Sequence, residues 1–175
     1  MIKKILLSIF LLPLVAFTQH TIEGTFSPAA DYSLVLLYQV LPTKLVYKTN
    51  ANIDPQGAFT IRLDSSITRG MYRLVYAAPQ DLFNFDIIYS GTEDIKLRFD
   101  SNTGVEYTVS EENLLLASYE KVMLALKTQI SERYKEGNRD VSELFETLKQ
   151  SQNDFENEAQ GTIAFEFIKA NRPYI

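Results

Sequence analysis

Val105-Glu106-Tyr107-Thr108-Val109-Ser110-Glu111-Glu112-Asn113-Leu114-Leu115 is where the chain changes its period. Val105, Tyr107 and Val109 alternate with Glu106 and Thr108, the two-residue repeat of a half-buried strand. Beyond Ser110, Leu115, Tyr119, Val122, Leu126 and Ile130 recur at helical spacing and form one apolar stripe. The chain therefore reads as sheet before Ser110 and as helix after it. Ser110 is a favoured helix N-cap, and Glu111 and Glu112 suit a first turn.

Working back from this junction, the same alternation recurs. It is carried by Ile95, Leu97 and Phe99; by Phe83, Phe85, Ile87 and Tyr89; by Tyr72, Leu74 and Tyr76; by Phe59, Ile61 and Leu63; and by Ile22, Gly24 and Phe26. Leu45 to Ile53 is a further strand. Ser33 to Val40 is more continuously apolar, the pattern of a strand covered on both faces. Turn signals separate these runs at Ser27-Pro28, Asp54-Pro55-Gln56-Gly57, Arg69-Gly70, Ser90-Gly91 and Asn102-Thr103-Gly104. Seven to eight short strands predict an antiparallel β-sandwich or partly open barrel over residues 19–109.

Working forward, Gly137-Asn138 ends the first helix as a left-handed C-cap would. Asp140, with Glu143 three residues on, predicts a capping box opening a second helix. Val141, Leu144, Phe145, Leu148 and Phe155 share its apolar face. A third helix is expected over Ile163 to Ile168, after a break near Gly161 and before Pro173. The predicted fold is α+β: the sandwich, then a helical extension over 110–175 built on an antiparallel hairpin.

The amino end carries a different signal. Lys3 and Lys4 precede an apolar run of 13 residues, Ile5 to Phe17, interrupted only by Ser8 and Pro13. That run is short against the roughly 20 residues needed to span a bilayer. With the small residues Ala16 and Thr18 behind it, it reads as a signal peptide over 1–18. The expected destination is the periplasm or the exterior, with a membrane tie only through an uncleaved signal peptide. Loss of Lys3 and Lys4 takes the net charge from −5 to −7. An acidic chain lacks the basic footprint of a nucleic-acid binder. No cysteine is present, which removes thiolate chemistry and zinc–thiolate sites.

Chemistry is thinly signposted. His20 is the single histidine, so a triad or a copper site would have to be built on it. Asp54 and Gly57 loosely resemble a calcium loop, but a hairpin turn with Pro55 second and Gly57 fourth explains all four residues. Asp81, Asp86, Asp94 and Asp100 lie in or beside loops and could converge at one end of a sandwich. Glu143 with Glu146, and Asp154 with Glu158, share helix faces without a partner histidine. No catalytic constellation, metal or cofactor is expected. Two apolar groups are candidates for a partner surface: Phe165, Phe167, Ile168, Tyr174 and Ile175 near the carboxyl end, too many for a hairpin to cover, and, more weakly, Phe83, Phe85 and Tyr89.

The order of motifs carries a resemblance. Ile22-Glu23-Gly24-Thr25-Phe26 leads to Asp54-Pro55-Gln56-Gly57-Ala58-Phe59, then Gly70-Met71-Tyr72-Arg73-Leu74 and Ser110-Glu111-Glu112-Asn113. This resembles the β-rich amino-terminal domain of unknown function that precedes thioredoxin-like domains in bacterial periplasmic thiol–disulfide oxidoreductases. The resemblance implies a non-catalytic accessory or scaffold domain whose partner is a protein or a downstream thioredoxin-like domain. The family's Cys-x-x-Cys has no counterpart here, so no redox residue is carried over. A periplasmic small-ligand or carbohydrate-binding β-domain, using the aromatic strands, is the alternative reading.

Overall fold

The computed structural model describes residues 19–174. The expected signal peptide and Ile175 lie outside the described residues. Eight strands form in order: β1 (Thr21–Ser27), β2 (Leu34–Leu41), β3 (Lys44–Asn52), β4 (Ala58–Arg62), β5 (Gly70–Val75), β6 (Asn84–Tyr89), β7 (Ile95–Asp100) and β8 (Gly104–Val109). Three helices follow: α1 (Glu111–Lys135), α2 (Ser142–Glu158) and α3 (Ile163–Ala170). The α+β reading, strands first and helices last, holds.

The strands make two four-stranded sheets, β4-β1-β7-β8 (the first sheet) and β3-β2-β5-β6 (the second). Alternation decides what lies between them. Ile22, Phe26, Val35, Leu37, Phe59, Ile61, Tyr72, Leu74, Ile87, Ile95, Leu97 and Phe99 all point inward and are buried in one cluster. Phe26 is 2% exposed and meets the rings of Tyr32, Phe59, Tyr76 and Phe99 at centroid distances of 5.0 to 5.6 Å.

In the sheets, three details depart from the sequence reading. β1 and β7 run parallel, while the other pairs are antiparallel. That pairing joins strands about seventy residues apart, which local periodicity does not encode. Asp54 to Gly57 is a β-turn, with the Gly57 N–H donating to the Asp54 carbonyl at 2.8 Å. It does not close a hairpin: β3 and β4 belong to different sheets, so the turn carries the chain across the sandwich. Gly57 is required there. Its φ is +84°, and a Cβ would run into the Phe26 carbonyl oxygen. Finally, β2 is fully buried on one face only: Val35 and Leu37 are buried, while on the other face Leu34 is exposed and Leu36, Tyr38 and Val40 are half-buried.

The helices pack against the side of the sandwich where β6 and β8 form the sheet edges, and α1 meets both strands. Met71 and Ile88 join Tyr119, Met123, Leu126, Ile130, Leu148 and Ile168 in a second apolar cluster. α1 ends where expected, with Gly137 at φ +78°. Val141, not Asp140, holds the N-cap of α2, and no side chain caps it. α2 returns beside α1, placing Gln152 against Tyr119, and α3 folds back across both.

Candidate interaction surface

The junction that opened the sequence reading is a fastening. β6 is an edge strand, so its outward N–H and C=O groups need partners from elsewhere. Asn113 supplies them: its amide oxygen accepts from the Ile88 N–H at 2.8 Å and its amide nitrogen donates to the Ile88 carbonyl at 2.6 Å. One side chain thus imitates a neighbouring strand for one residue. Ser110 does not cap α1; its hydroxyl accepts from the same Asn113 amide at 2.7 Å, and its φ is +135°. Glu93 accepts from the Glu111 N–H in its place. The buried Glu112 carboxylate receives the Ile163 and Ala164 N–H groups at 2.7 and 3.0 Å, which ties the start of α3 to the start of α1. Sequence patterning missed Glu112 and Asn113 as buried groups; their placement in the first turn beside an edge strand was the available signal.

The carboxyl end is tied similarly. The Tyr119 hydroxyl donates to Gln152 Oε1 at 2.9 Å and lies near the Ile168 and Asn171 carbonyl oxygens. Gln152 Nε2 donates to the Ile168 carbonyl and to Glu156, which pairs with Arg172. Arg172 holds the Glu156 carboxyl below its ordinary range.

The carboxylates singled out by sequence do not converge. Asp86 pairs bidentately with Arg73 at 2.6 and 2.9 Å, Asp94 accepts from the Thr21 N–H, Asp100 accepts from Asn102 and Thr103, and Asp81 is exposed. Asp54 accepts from the Gln56 and Ala58 N–H groups within its own turn. Glu143, Glu146 and Glu158 are exposed, and Asp154 accepts from Gln150. His20 contacts the Tyr89 hydroxyl through Nδ1 at 3.0 Å. Among the described residues no group of three His, Cys, Asp or Glu is placed to hold a metal, and no helix is long and apolar enough to cross a membrane.

The apolar candidates separate. Ile168 is 0% exposed and belongs to the helical core, because α3 docks through that face; it is not available to a partner in this fold. Phe165 packs on the same cluster, with Lys169 over its ring. Phe167 is half-buried beside Leu116 and Leu124 at the rim of the groove between α1 and the β6 and β8 edges. Tyr174 is fully exposed, and Ile175 lies outside the described residues. Phe85 stacks on Phe99 and Tyr89 is in the core, so both work mainly as packing; Phe83 sits exposed at the margin of the aromatic cluster. These three do not share a cavity. Phe85 borders the groove of about 800 Å³ under α1, whereas Tyr89 faces His20 at the other end of β6. In that groove Tyr107 donates to the Asp86 carbonyl at 3.0 Å. Burial, with the charges of Glu120 and Asp86, pushes its hydroxyl above the ordinary tyrosine range.

The surface that stands out lies elsewhere. On the first sheet, residues paired on the outer face are Glu23 with Thr60 and Lys96, Thr25 with Arg98, and Arg98 with Glu106. That is an ordinary solvated face. On the second sheet the outward residues of β2 and β3 pair as Leu36 with Asn50, Tyr38 with Tyr47 and Val40 with Leu45, with Leu34 at the strand's start. Leu45 is 41% and Tyr47 49% exposed. The helices cover Met71 and Ile88 on the same face and do not reach this strip, where Leu34, Leu45 and Tyr47 are exposed and Leu36, Tyr38 and Val40 half-buried. The continuous apolar run of β2 therefore has a second apolar face without a cover of its own.

No family model matches the chain, and no curated protein matches it. Among solved structures, a crystal structure of (S)-allantoin synthase is similar at a TM-score of 0.38 and 7% identity, over 53% of this chain and 44% of that one. The chain thus spans under half the length of that structure, and a likeness at this level carries no argument about fold or function.

Proposed function

We propose that this chain is an exported, non-catalytic accessory domain, a scaffold whose protein partner carries a thioredoxin-like oxidoreductase domain. The observation that carries the reading is the bare strip on β2 and β3, apolar where the equivalent face of the first sheet is charged. Apolar patches of this kind mark contact surfaces. A second support comes from the inner polar groups. Ser110, Glu112, Asn113, Tyr119 and Gln152 are all engaged in joining elements of the fold. The nature of the partner rests on the resemblance in motif order, of which the Asp54 to Gly57 turn and the Ser110 to Asn113 junction both have structural jobs. Export to the periplasm rests on the amino-terminal pattern.

The test is photo-crosslinking in the producing cell, with benzoylphenylalanine placed at Tyr47 and, as control, at Thr60 on the charged face. The expected product is an adduct at position 47, and none at 60, with a protein that contains a thioredoxin-like domain and its Cys-x-x-Cys. Recovered chain should begin at or near Gln19. An adduct only with unrelated proteins, or equal adducts at both positions, would overturn the reading.

A further inference from the structure

We infer that Ser110 is a sprung hinge, on which the three helices swing as one body away from the β6 edge and back. The hinge does not depend on the partner's identity.

Strain is the first observation. Ser110 has a φ of +135° and a ψ of +111°, and among the described residues it is the one non-glycine with a positive φ. A Cβ makes that conformation costly, and such residues persist only where their surroundings hold them. Ser110 is 2% exposed, so neighbours do the holding. Asn113 is the chief of them. Its amide nitrogen donates to the Ser110 hydroxyl at 2.7 Å and to the Ile88 carbonyl at 2.6 Å, while its amide oxygen accepts from the Ile88 N–H at 2.8 Å. One side chain therefore grips the strained residue and the β6 edge together. Docking on Ile88 and strain at Ser110 are made and lost as a pair, which favours two discrete positions over a continuum.

The second observation is that the helices have a core of their own. Tyr119, Met123, Leu126, Leu148, Ala164 and Ile168 bury one another across α1, α2 and α3, and from the sheets only Ile88 and the half-buried Met71 join that cluster. The Glu112 carboxylate and the Gln152 amide tie α3 to its neighbours inside the helical body. Across the boundary the described residues make the two bonds between Asn113 and Ile88, one from the Glu111 N–H to Glu93, and no ion pair. The sandwich closes its own side, since Tyr107 reaches the Asp86 carbonyl without help from a helix.

The third is room. The groove of about 800 Å³ lies between the two bodies, with Phe85, Val105 and Tyr107 on one wall and Leu116, Leu124 and Phe167 on the other. Interior-like packing would pin the helices in place, and the groove keeps these walls apart. Swinging about Ser110 widens it and uncovers Met71 and Ile88.

The test uses the purified chain from Gln19 onward. It has no cysteine, so Thr60→Cys on the first sheet and Gln129→Cys on α1 carry spin labels at those two positions alone. Ser110→Pro locks φ near −65° and forbids the docked conformation. Distances between the labels should then lengthen and spread, with helix content by circular dichroism kept and the Leu37 and Leu74 amides still protected from exchange. An unchanged distance, or loss of structure throughout, would overturn the hinge. Two gentler variants test it again. Ser110→Ala and Ser110→Gly lose the same hydroxyl, and only the first keeps a Cβ in the strained conformation. The Ile88 amide should exchange at least about fivefold faster in the alanine variant. In both variants the opening should leave Leu37 and Leu74 protected. Equal rates in the two would remove the spring, and Ile88 exchange in step with Leu37 would remove the swing; either result overturns the inference.

Discussion

The second sheet meets two different worlds. Its inner face meets the first sheet through aromatic and branched side chains, with Phe26 touching four other rings. Its outer face meets the helices through Met71 and Ile88, and that contact is fixed by directional hydrogen bonds from Asn113. Shape and area hold the first interface, because alternating strands deliver apolar groups to it in bulk. The second has less apolar area per element, and a helix can slide on a sheet unless something fixes its register. Buried polar groups do that at a cost when a partner is lost.

The sharpest way to break this contrast is to remove the ring at the centre of the inner interface. Phe26→Ala deletes the side chain on which Tyr32, Phe59, Tyr76 and Phe99 converge. A loss of about 3–5 kcal/mol is expected, read from urea unfolding. A loss below about 1 kcal/mol would mean that the aromatic cluster collapses around the gap and is not the main support of the sandwich.

Asn113→Leu addresses the outer interface. Leucine nearly preserves volume but leaves the Ile88 N–H and carbonyl without partners in a dry site. The expected cost is about 2–4 kcal/mol. It should differ in kind from the loss at Phe26. Hydrogen exchange should quicken at Ile88 and along α1 before the inner strands respond, because the helical layer is released first. Uniform quickening of all eight strands would show the two interfaces to be one cooperative unit.

These two positions also show what was legible in the sequence. Phe26 sits in an alternating run and could be assigned to the core by period alone, as could the inward residues of most strands. Asn113 was placed at a helix start, but its bond to Ile88 spans twenty-five residues and follows from β6 being an edge. Edges depend on strand order, and order depends on the parallel pairing of β1 with β7 and on the crossing at Asp54 to Gly57, neither of which has a local signature. The bare strip was half legible. The continuous apolar run from Ser33 to Val40 announced two apolar faces, and the sequence had no means of showing that only one would be covered within the chain.

Tyr107 links the two interfaces, since its hydroxyl reaches from the first sheet to the Asp86 carbonyl of β6. Its hydroxyl titrates above the ordinary 10.0 in the folded chain, first through burial and then through the charges of Glu120 and Asp86. Above about pH 10 the unfolded chain loses that proton first and so binds fewer protons than the folded one. Stability is therefore fully present below that pH and falls as pH rises further. Burial raises Tyr72, Tyr76, Tyr89 and Tyr119 as well, so the fall is shared. Tyr107→Phe should cost about 1 kcal/mol at neutral pH through the lost hydrogen bond. It should also flatten part of the alkaline fall, seen as urea midpoints that decline less between about pH 9 and pH 11. An unchanged alkaline slope would place the titration elsewhere.

The smallest expected effect on stability tests the comparison most finely, because it divides the outer face from itself. Ile88 and Tyr47 lie on the same side of the second sheet, one under the helices and one bare. Ile88→Ser should cost about 3 kcal/mol, since it strands a hydroxyl and opens a cavity beneath α1. Tyr47→Ser should change stability by no more than about 0.5 kcal/mol, as for surface positions without buried partners. A partial loss is built into Tyr47: its ring meets Tyr38 and its hydroxyl accepts from Asn50 at 2.5 Å. Those contacts are exposed, so water replaces most of what they supply. If Tyr47→Ser instead costs more than about 1.5 kcal/mol, the strip is part of what holds the sandwich together. Its apolar character would then need no partner to explain it. If stability is unmoved, the two halves of one sheet face serve different ends: the covered half holds the fold, and the half around Tyr47 is free of that task.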